Sequence, residues 1–156
     1  MNKEQLDLVD SMVENAIKWI DNLVVTKSKQ GANKLGDKDS GFCCLGLGCY
    51  ILGLDYDPYA GFSLAFIKKI GLIVQNARFV HRIKNYSLDS WIEHAYHGDD
   101  MDYEKQIVQL ELSGNKINPV GLADLNDNYN FSFRRISTVI KNNLEYLFIP
   151  EVAEKL

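Results

Sequence analysis

Three cysteines, two of them adjacent, stand in the stretch Ser40-Gly-Phe-Cys-Cys-Leu-Gly-Leu-Gly-Cys-Tyr-Ile-Leu-Gly53. A thiol can ligate a metal, attack an electrophile or pack as a small apolar group, and spacing decides among these roles. Neighbouring Cys43 and Cys44 are badly placed to close on one ion, and no nearby histidine or fourth cysteine completes a tetrahedron. A nucleophilic thiol needs a lowered pKa and a base, yet the histidines, His81, His94 and His97, are all distant in the chain. The cysteines therefore read as buried small hydrophobes. His94 and His97 stand three apart, a metal-compatible step on a helix, but they lie opposite most of the local apolar stripe and read as a solvated face. No catalytic residue, metal or cofactor is assigned.

The other chemistry on offer is anion binding. The segment from Lys27 to Ser40 has four lysines against two aspartates in a chain of net charge −4. It leads into the cysteine-bearing helix, whose first N–H groups are unpaired and carry positive partial charge. Lys27, Lys29 and Lys34 beside a glycine-bearing helix start suit a phosphate or a similar anion, although the spacing is not that of a Walker loop. A second basic group, Arg134 and Arg135, falls in the first turn of a helix that Ser132 should cap. Positive charge is unfavourable at that end of a helix dipole, which is easier to understand if an anion is met there.

A nucleotide-type ligand also needs flat rings and amides. Trp19, Phe42, Tyr129, Phe131 and Phe133 can supply the rings, and Gln30, Asn33, Asn126, Asp127 and Asn128 the polar edges, with Cys43 at the helix start in the expected ligand-binding set. For Trp19 the stronger expectation is a core or rim position, because large aromatics are mostly buried. A place at a pocket mouth is the sharper alternative.

The elements that must position these residues follow from periodicity. Leu6, Val9, Val13, Ala16, Ile17, Ile20 and Val24 mark a helix from Lys3 to about Thr26. The Lys27–Ser40 segment reads as a loop with a short strand near Leu35, and Cys43–Gly53 as a buried helix thin enough for the N-terminal helix to pack closely. Phe62–Ile70 reads as a short helix stopped by Gly71. Residues 72–74 and 78–83 read as the arms of a β-hairpin. Ser87 should cap a helix to His97, and a strand should run from Lys105 to Leu112 before a Ser-Gly-Asn-Lys turn. Residues 119–131 suggest a helical turn and a loop. The last helix should bury Phe133, Ile136, Val139, Ile140 and Leu144. The fold class is α+β: a mainly helical single domain over residues 1–156, with about four helices, a small antiparallel hairpin or sheet, and an insertion at 84–117.

Totals exclude other classes. A sequence pI near 5.3 argues against a general nucleic-acid coat, which needs basic excess to displace counterions. The odd cysteine count suits a reducing compartment. The first residues lack the apolar core of a signal peptide. The longest apolar run, Phe42–Leu54, is too short to span a bilayer. A cytoplasmic protein without a membrane partner is expected.

Two blocks together, Phe42-Cys-Cys-Leu-Gly-Leu-Gly-Cys49 and Leu122-Ala-Asp-Leu-Asn-Asp127 with Ser132-Phe-Arg-Arg-Ile136, resemble a family of small phage and prophage proteins of mostly unknown function. The resemblance covers roughly residues 16–54 and 119–142. The chain departs from the pattern at Gly48, at Asn128-Tyr-Asn130 and at Ser137. What the resemblance implies is a phage setting, hence the cytoplasm of an infected bacterial host. From such genes comes the expectation of a non-enzymatic counter-defence protein. It would sequester a nucleotide-derived immune signal, of cyclic-nucleotide or ADP-ribose type, as a homodimer. The alternatives are a protein-binding inhibitor of a host factor, acting through Trp91 and Tyr96, then a DNA-binding regulator, then a hydrolase.

Overall fold

The computed structural model describes residues 1–74, 77–80, 87–97, 109–112 and 114–156, side chains 94–97 and 112 excepted. Helix α1 spans Lys3–Val25 and begins in a reciprocal cap. The Gln5 N–H donates to the Asn2 side chain at 2.8 Å, and the Asn2 N–H donates to the Gln5 side chain at 3.0 Å. The buried face holds Val9, Met12, Ala16, Trp19, Ile20 and Leu23. It is rotated from the stripe that apolar periodicity predicts, for Leu6 stays 40% and Ile17 44% exposed. The rotation follows the bulk and polarity of Trp19. Its ring is fully enclosed, and its indole N–H, which must find an acceptor when buried, donates to the Cys44 carbonyl at 2.9 Å.

That bond joins α1 to α2, Cys44–Ile51. The small residues of α2 admit two neighbours at unusually short range. A Cβ at Gly46 would collide with the Leu35 carbonyl, and one at Gly48 would enter the Phe66 ring. Phe66 belongs to α3, Leu64–Ile70, and stands edge-on to Trp19 with centroids 5.2 Å apart. Close packing of the cysteine-bearing helix on the N-terminal helix is therefore as expected.

The chain between α1 and α2 is more ordered than a loop. Strands β1 (Gly36–Asp37) and β2 (Gly41–Phe42) pair antiparallel. The Asp37 carboxylate closes their turn, accepting from the Asp39 N–H at 3.0 Å, the Ser40 N–H at 2.8 Å and the Ser40 hydroxyl at 2.9 Å. Both Gly36 and Gly41 have positive φ, 84° and 89°, a conformation that L side chains resist.

The expected 72–83 hairpin is not what its described arms form; residues 75–76 and 81–83 lie outside the described set. Leu72 bridges to Phe148, and Arg78 bridges to Gly121. Two β-rich arms can pair with any extended backbone beside them, and here the C-terminal segment and the entry to α5 (Leu122–Asp127) lie closer. Ser87 does cap α4, Leu88–His97, accepting from the Ser90 N–H at 3.0 Å. Strands β3 (Leu110–Leu112) and β4 (Asn115–Ile117) pair antiparallel, so the expected strand end is present, while Asn115 and Lys116 of the expected turn belong to β4; residues 105–108 and 113 lie outside the described set.

The last long helix, α6, spans Phe133–Asn142 and buries Phe133, Ile136, Ser137, Val139 and Ile140. It does not continue through Leu144. Asn143 leaves helical geometry at φ −135° while its side chain donates to the Val139 carbonyl at 2.8 Å. Two single-turn helices follow, α7 (Leu144–Leu147) and α8 (Pro150–Ala153). The described residues thus hold eight helices instead of about four, because short turns with one or two apolar anchors leave no periodic trace. Helix and sheet are nonetheless mixed as expected. No helix among the described residues is long and apolar enough to cross a membrane.

The close approach at α2 predicts a large asymmetry between glycines. Gly46→Ala should cost about 2–3 kcal/mol in urea unfolding, since the obstacle is backbone and cannot swing aside. Gly61→Ala, where an added Cβ meets nothing, should be neutral to slightly stabilising.

Candidate functional site

A polar knot ties the segment after α1 to the turn between α5 and α6. The Gln30 side-chain amide donates to the Asn126 side chain at 2.8 Å and to the Phe131 carbonyl at 2.7 Å. Its oxygen accepts from the Phe133 N–H at 3.2 Å. Asn126 in turn donates to the Gly31 carbonyl at 2.8 Å and to the Asp127 carboxylate at 2.9 Å. The backbone on either side of Gln30 lies along β2: the Phe42 N–H donates to Lys29 at 2.9 Å and the Gly31 N–H to Phe42 at 2.7 Å. These bonds join residues about a hundred positions apart in sequence into two facing walls.

Between the walls lies an open cleft of about 240 Å³, lined by Gln30, Gly31, Ala32, Asn126, Asn130 and Phe131. Gly31 is needed for close approach, because a Cβ there would stand 2.8 Å from the Gly41 carbonyl oxygen. Asn130 turns the chain at φ 54°, in the left-handed region that Asn tolerates better than most residues. On one wall, exposed Lys27 and Lys29 precede Gln30. On the other, exposed Arg134 and Arg135 open α6, capped by Ser132, whose hydroxyl accepts from the Arg135 N–H at 3.2 Å. The Arg135 guanidinium lies over the Phe131 ring at 3.9 Å, and Tyr129 stands edge-on to the same ring at 6.2 Å. A cation on an aromatic face answers part of the unfavourable charge at the helix start.

The expected ligand-binding residues divide three ways. Gln30, Asn126 and Phe131 line the cleft, and Lys27, Lys29, Arg134 and Arg135 lie in segments that continue its walls. Asp127 serves the knot as an acceptor. Lys34 turns elsewhere, its ammonium 5.0 Å from the Tyr59 ring centroid. Trp19, Phe42, Cys43 and Phe133 are core residues, each at most 6% exposed. Their rings are consumed in packing: Trp19 on Phe66, and Phe42 stacked on Tyr50 at 5.1 Å. Gly31, Ala32 and Asn130 were not expected. Only the Asn-Tyr-Asn turn after a short helix hinted at them.

The helix start of α2 is likewise closed to an anion. Cys43 caps it, its sulfur accepting from the Gly46 N–H at 3.4 Å, and the Cys43 N–H donates to the Leu35 carbonyl at 3.1 Å. With Leu35 seated on Gly46, no phosphate can approach. The reason is steric: the lysine segment that leads into the helix also covers it.

Burial sets the thiol chemistry. It pushes Cys43 up to about 11 and Cys49 to about 12 from the ordinary 9.0, and raises Cys44 well above that value. At neutral pH all three are protonated, and none is a thiolate nucleophile. Among the described residues no group of three or more His, Cys, Asp or Glu could hold a metal ion.

The family model described as Domain of unknown function (DUF8296) matches residues 12–144. The chain belongs to that family. Nothing among curated proteins or solved structures matches it. The DUF8296 match takes in both walls of the cleft, from α1 through α6, together with the cysteine helix that backs them.

Two outcomes follow for this DUF8296 chain. Gln30→Leu should leave the Asn126 and Phe131 acceptors and the Phe133 donor without their partner, costing about 2–3 kcal/mol; hydrogen exchange should show the loss first in residues 27–33. The thiols should resist an aromatic disulfide reagent at pH 8 until the protein unfolds. Folded Cys43 holds its proton up to about 11, where an unfolded cysteine loses it near 9.0. Its contribution is therefore complete below pH 9.0 and is lost as pH rises towards 11, and Cys43→Ala should flatten that alkaline decline in unfolding free energy.

Proposed function

We propose that this chain is a binding protein with no catalytic chemistry of its own, which holds and sequesters a nucleotide-type ligand at the Gln30–Asn130 cleft and works as a homodimer. One observation carries this reading. An open cleft is walled by two segments that the Gln30 knot brings together, and each wall continues into a pair of exposed cations. In a chain of net charge −4, such a concentration of positive charge favours an anion of phosphate type.

The cleft lining of Gln, Gly, Ala, Asn and Phe supplies neither a nucleophile nor a general base, which fits binding better than turnover. Gln30 and Asn126 spend their amides on the knot, so they hold the walls rather than the ligand. The ligand is left to Asn130, the backbone at Gly31 and Ala32, and the four cations. At about 240 Å³ the space falls below that of most enclosed ligand pockets. A phosphate–sugar unit fits inside, with the base outside against Tyr129, which is 37% exposed. The phage setting rests on the sequence resemblance alone. Within it, the ligand is an immune signal of cyclic-nucleotide or ADP-ribose type, and the place of action is the host cytoplasm.

Thermal-shift titration against a panel of cyclic and linear nucleotides tests the reading, with mass spectrometry of whatever the heated protein releases. A stabilising ligand should return unchanged, and Lys29→Glu or Arg134→Glu should weaken it about tenfold or more while leaving the melting temperature of the free protein in place. A returned product would mark an enzyme. No shift anywhere in the panel would remove nucleotides as the ligand class.

A further inference from the structure

The cleft has room for a nucleotide's sugar and phosphate but offers its base no bare ring. Among the described residues Phe131 is the single aromatic in the lining. Its ring is already taken: it is 5% exposed, with the Arg135 guanidinium 3.9 Å from its centroid. Its backbone is held on both sides, the Phe131 N–H donating to the Leu125 carbonyl at 3.0 Å and the Phe131 carbonyl accepting from Gln30 at 2.7 Å. Trp19, Phe42 and Phe133 are enclosed in the core. A base that projects from a cleft of about 240 Å³ therefore meets, at its edge, the guanidinium that lies on Phe131.

That guanidinium is itself a flat surface. Arginine stacks on aromatic faces, and its charged group is planar, delocalised and weakly hydrated. A guanidinium fixed on one ring keeps its outer face for another, and Arg135 is exposed. Among the described residues its side chain makes no hydrogen bond and no ion pair, so none of its donors pulls the plane aside. The two lysine–ring contacts are of another kind. Lys34 and Lys38 each place a compact ammonium 5.0 Å from a tyrosine centroid, which gives a base nothing flat to lie on. Tyr129 packs edge-on against the same Phe131 ring, with centroids 6.2 Å apart. Guanidinium planes are a recurrent seat for unstacked bases, and the larger π face of a purine stacks more strongly than that of a pyrimidine.

We infer that the Arg135 guanidinium, backed by Phe131, is the seat of the ligand's base, and that the ligand is a purine nucleotide. The phosphate then falls to Lys27, Lys29 and Arg134. This deepens the reading of the cleft given above and rests on it.

Calorimetric titration of the full chain with adenosine monophosphate, cytidine monophosphate and ribose 5-phosphate tests it. The adenosine compound should bind about tenfold more tightly than the cytidine compound, and ribose 5-phosphate more weakly than both. Arg135→Lys keeps the charge and removes the plane. It should weaken the adenosine compound about tenfold and ribose 5-phosphate less than about threefold, abolishing the preference for the purine. Arg134→Lys should weaken all three alike and keep the preference. In the native protein the Arg135 Nε–H resonance should move upfield on addition of adenosine monophosphate and stay in place with ribose 5-phosphate; this reads the stack even if Arg135→Lys fails to fold. Equal affinity for all three, or a purine preference that survives Arg135→Lys, would overturn the platform and keep the cleft as a phosphate site. No binding of any of the three would remove the cleft reading and the platform with it.

Discussion

The structure depends on how little space α2 occupies. Leu35 places its carbonyl against Gly46, the Phe66 ring lies on Gly48, and the Trp19 indole donates to the carbonyl of Cys44. On a further side the Cys44 thiol donates to the Leu122 carbonyl at 3.7 Å, tying in the start of α5. An eight-residue helix is thus approached at once by the β1 segment, α1, α3 and α5. Side chains of ordinary size would hold these neighbours apart by several ångströms. Glycine is a poor helix former, about 1 kcal/mol worse than alanine, and the sequence tolerates two in α2 because each admits a close neighbour.

From that constraint the cleft follows. Leu35 can lie on Gly46 only if the chain after α1 folds back along β2, and that return path carries Gln30 past Phe42 to the α5–α6 turn. There Gln30 meets a wall already held by Leu122 and Leu125, both fully buried. Lys29, Arg134 and Arg135, in the segments that continue the cleft walls, therefore stand on backbone fixed by the core, not on free arms. The same return path explains why the thiols are inert. The segment that shapes the cleft also covers the end of α2, where a phosphate or a reactive thiol would otherwise have been placed.

Chemistry that resembles a site in sequence can serve the scaffold instead. The Gln30 and Asn126 amides have the donors and acceptors a ribose would need, yet they saturate one another and the neighbouring backbone. Buried polar groups must be paired, and pairing them across a hundred residues specifies the fold. Trp19, Phe42 and Phe133 likewise offer rings that the core has already taken. The exposed ring near the cleft, Tyr129, and the turn residue Asn130 have no periodic signal. Sequence alone offers Tyr129 as one candidate ring among several and marks Asn130 only as loop.

Sequence alone determined what depends on neighbours along the chain. The extent of α1, the Ser87 and Ser132 caps, the bare character of α2, the strand end at Leu112 and the burial of the cysteines all follow from local spacing and hydrogen-bonding capacity. The tertiary structure decided which partner each element took. Leu72 pairs with Phe148 and Arg78 with Gly121, because an extended segment offers the same donors and acceptors to every strand that can reach it. It decided the face of α1, where one tryptophan N–H seeking an acceptor outweighed the more regular apolar line. It also decided that the lysine segment closes the helix start instead of presenting an anion to it, since only the folded path shows that the Leu35 carbonyl occupies the space beside Gly46.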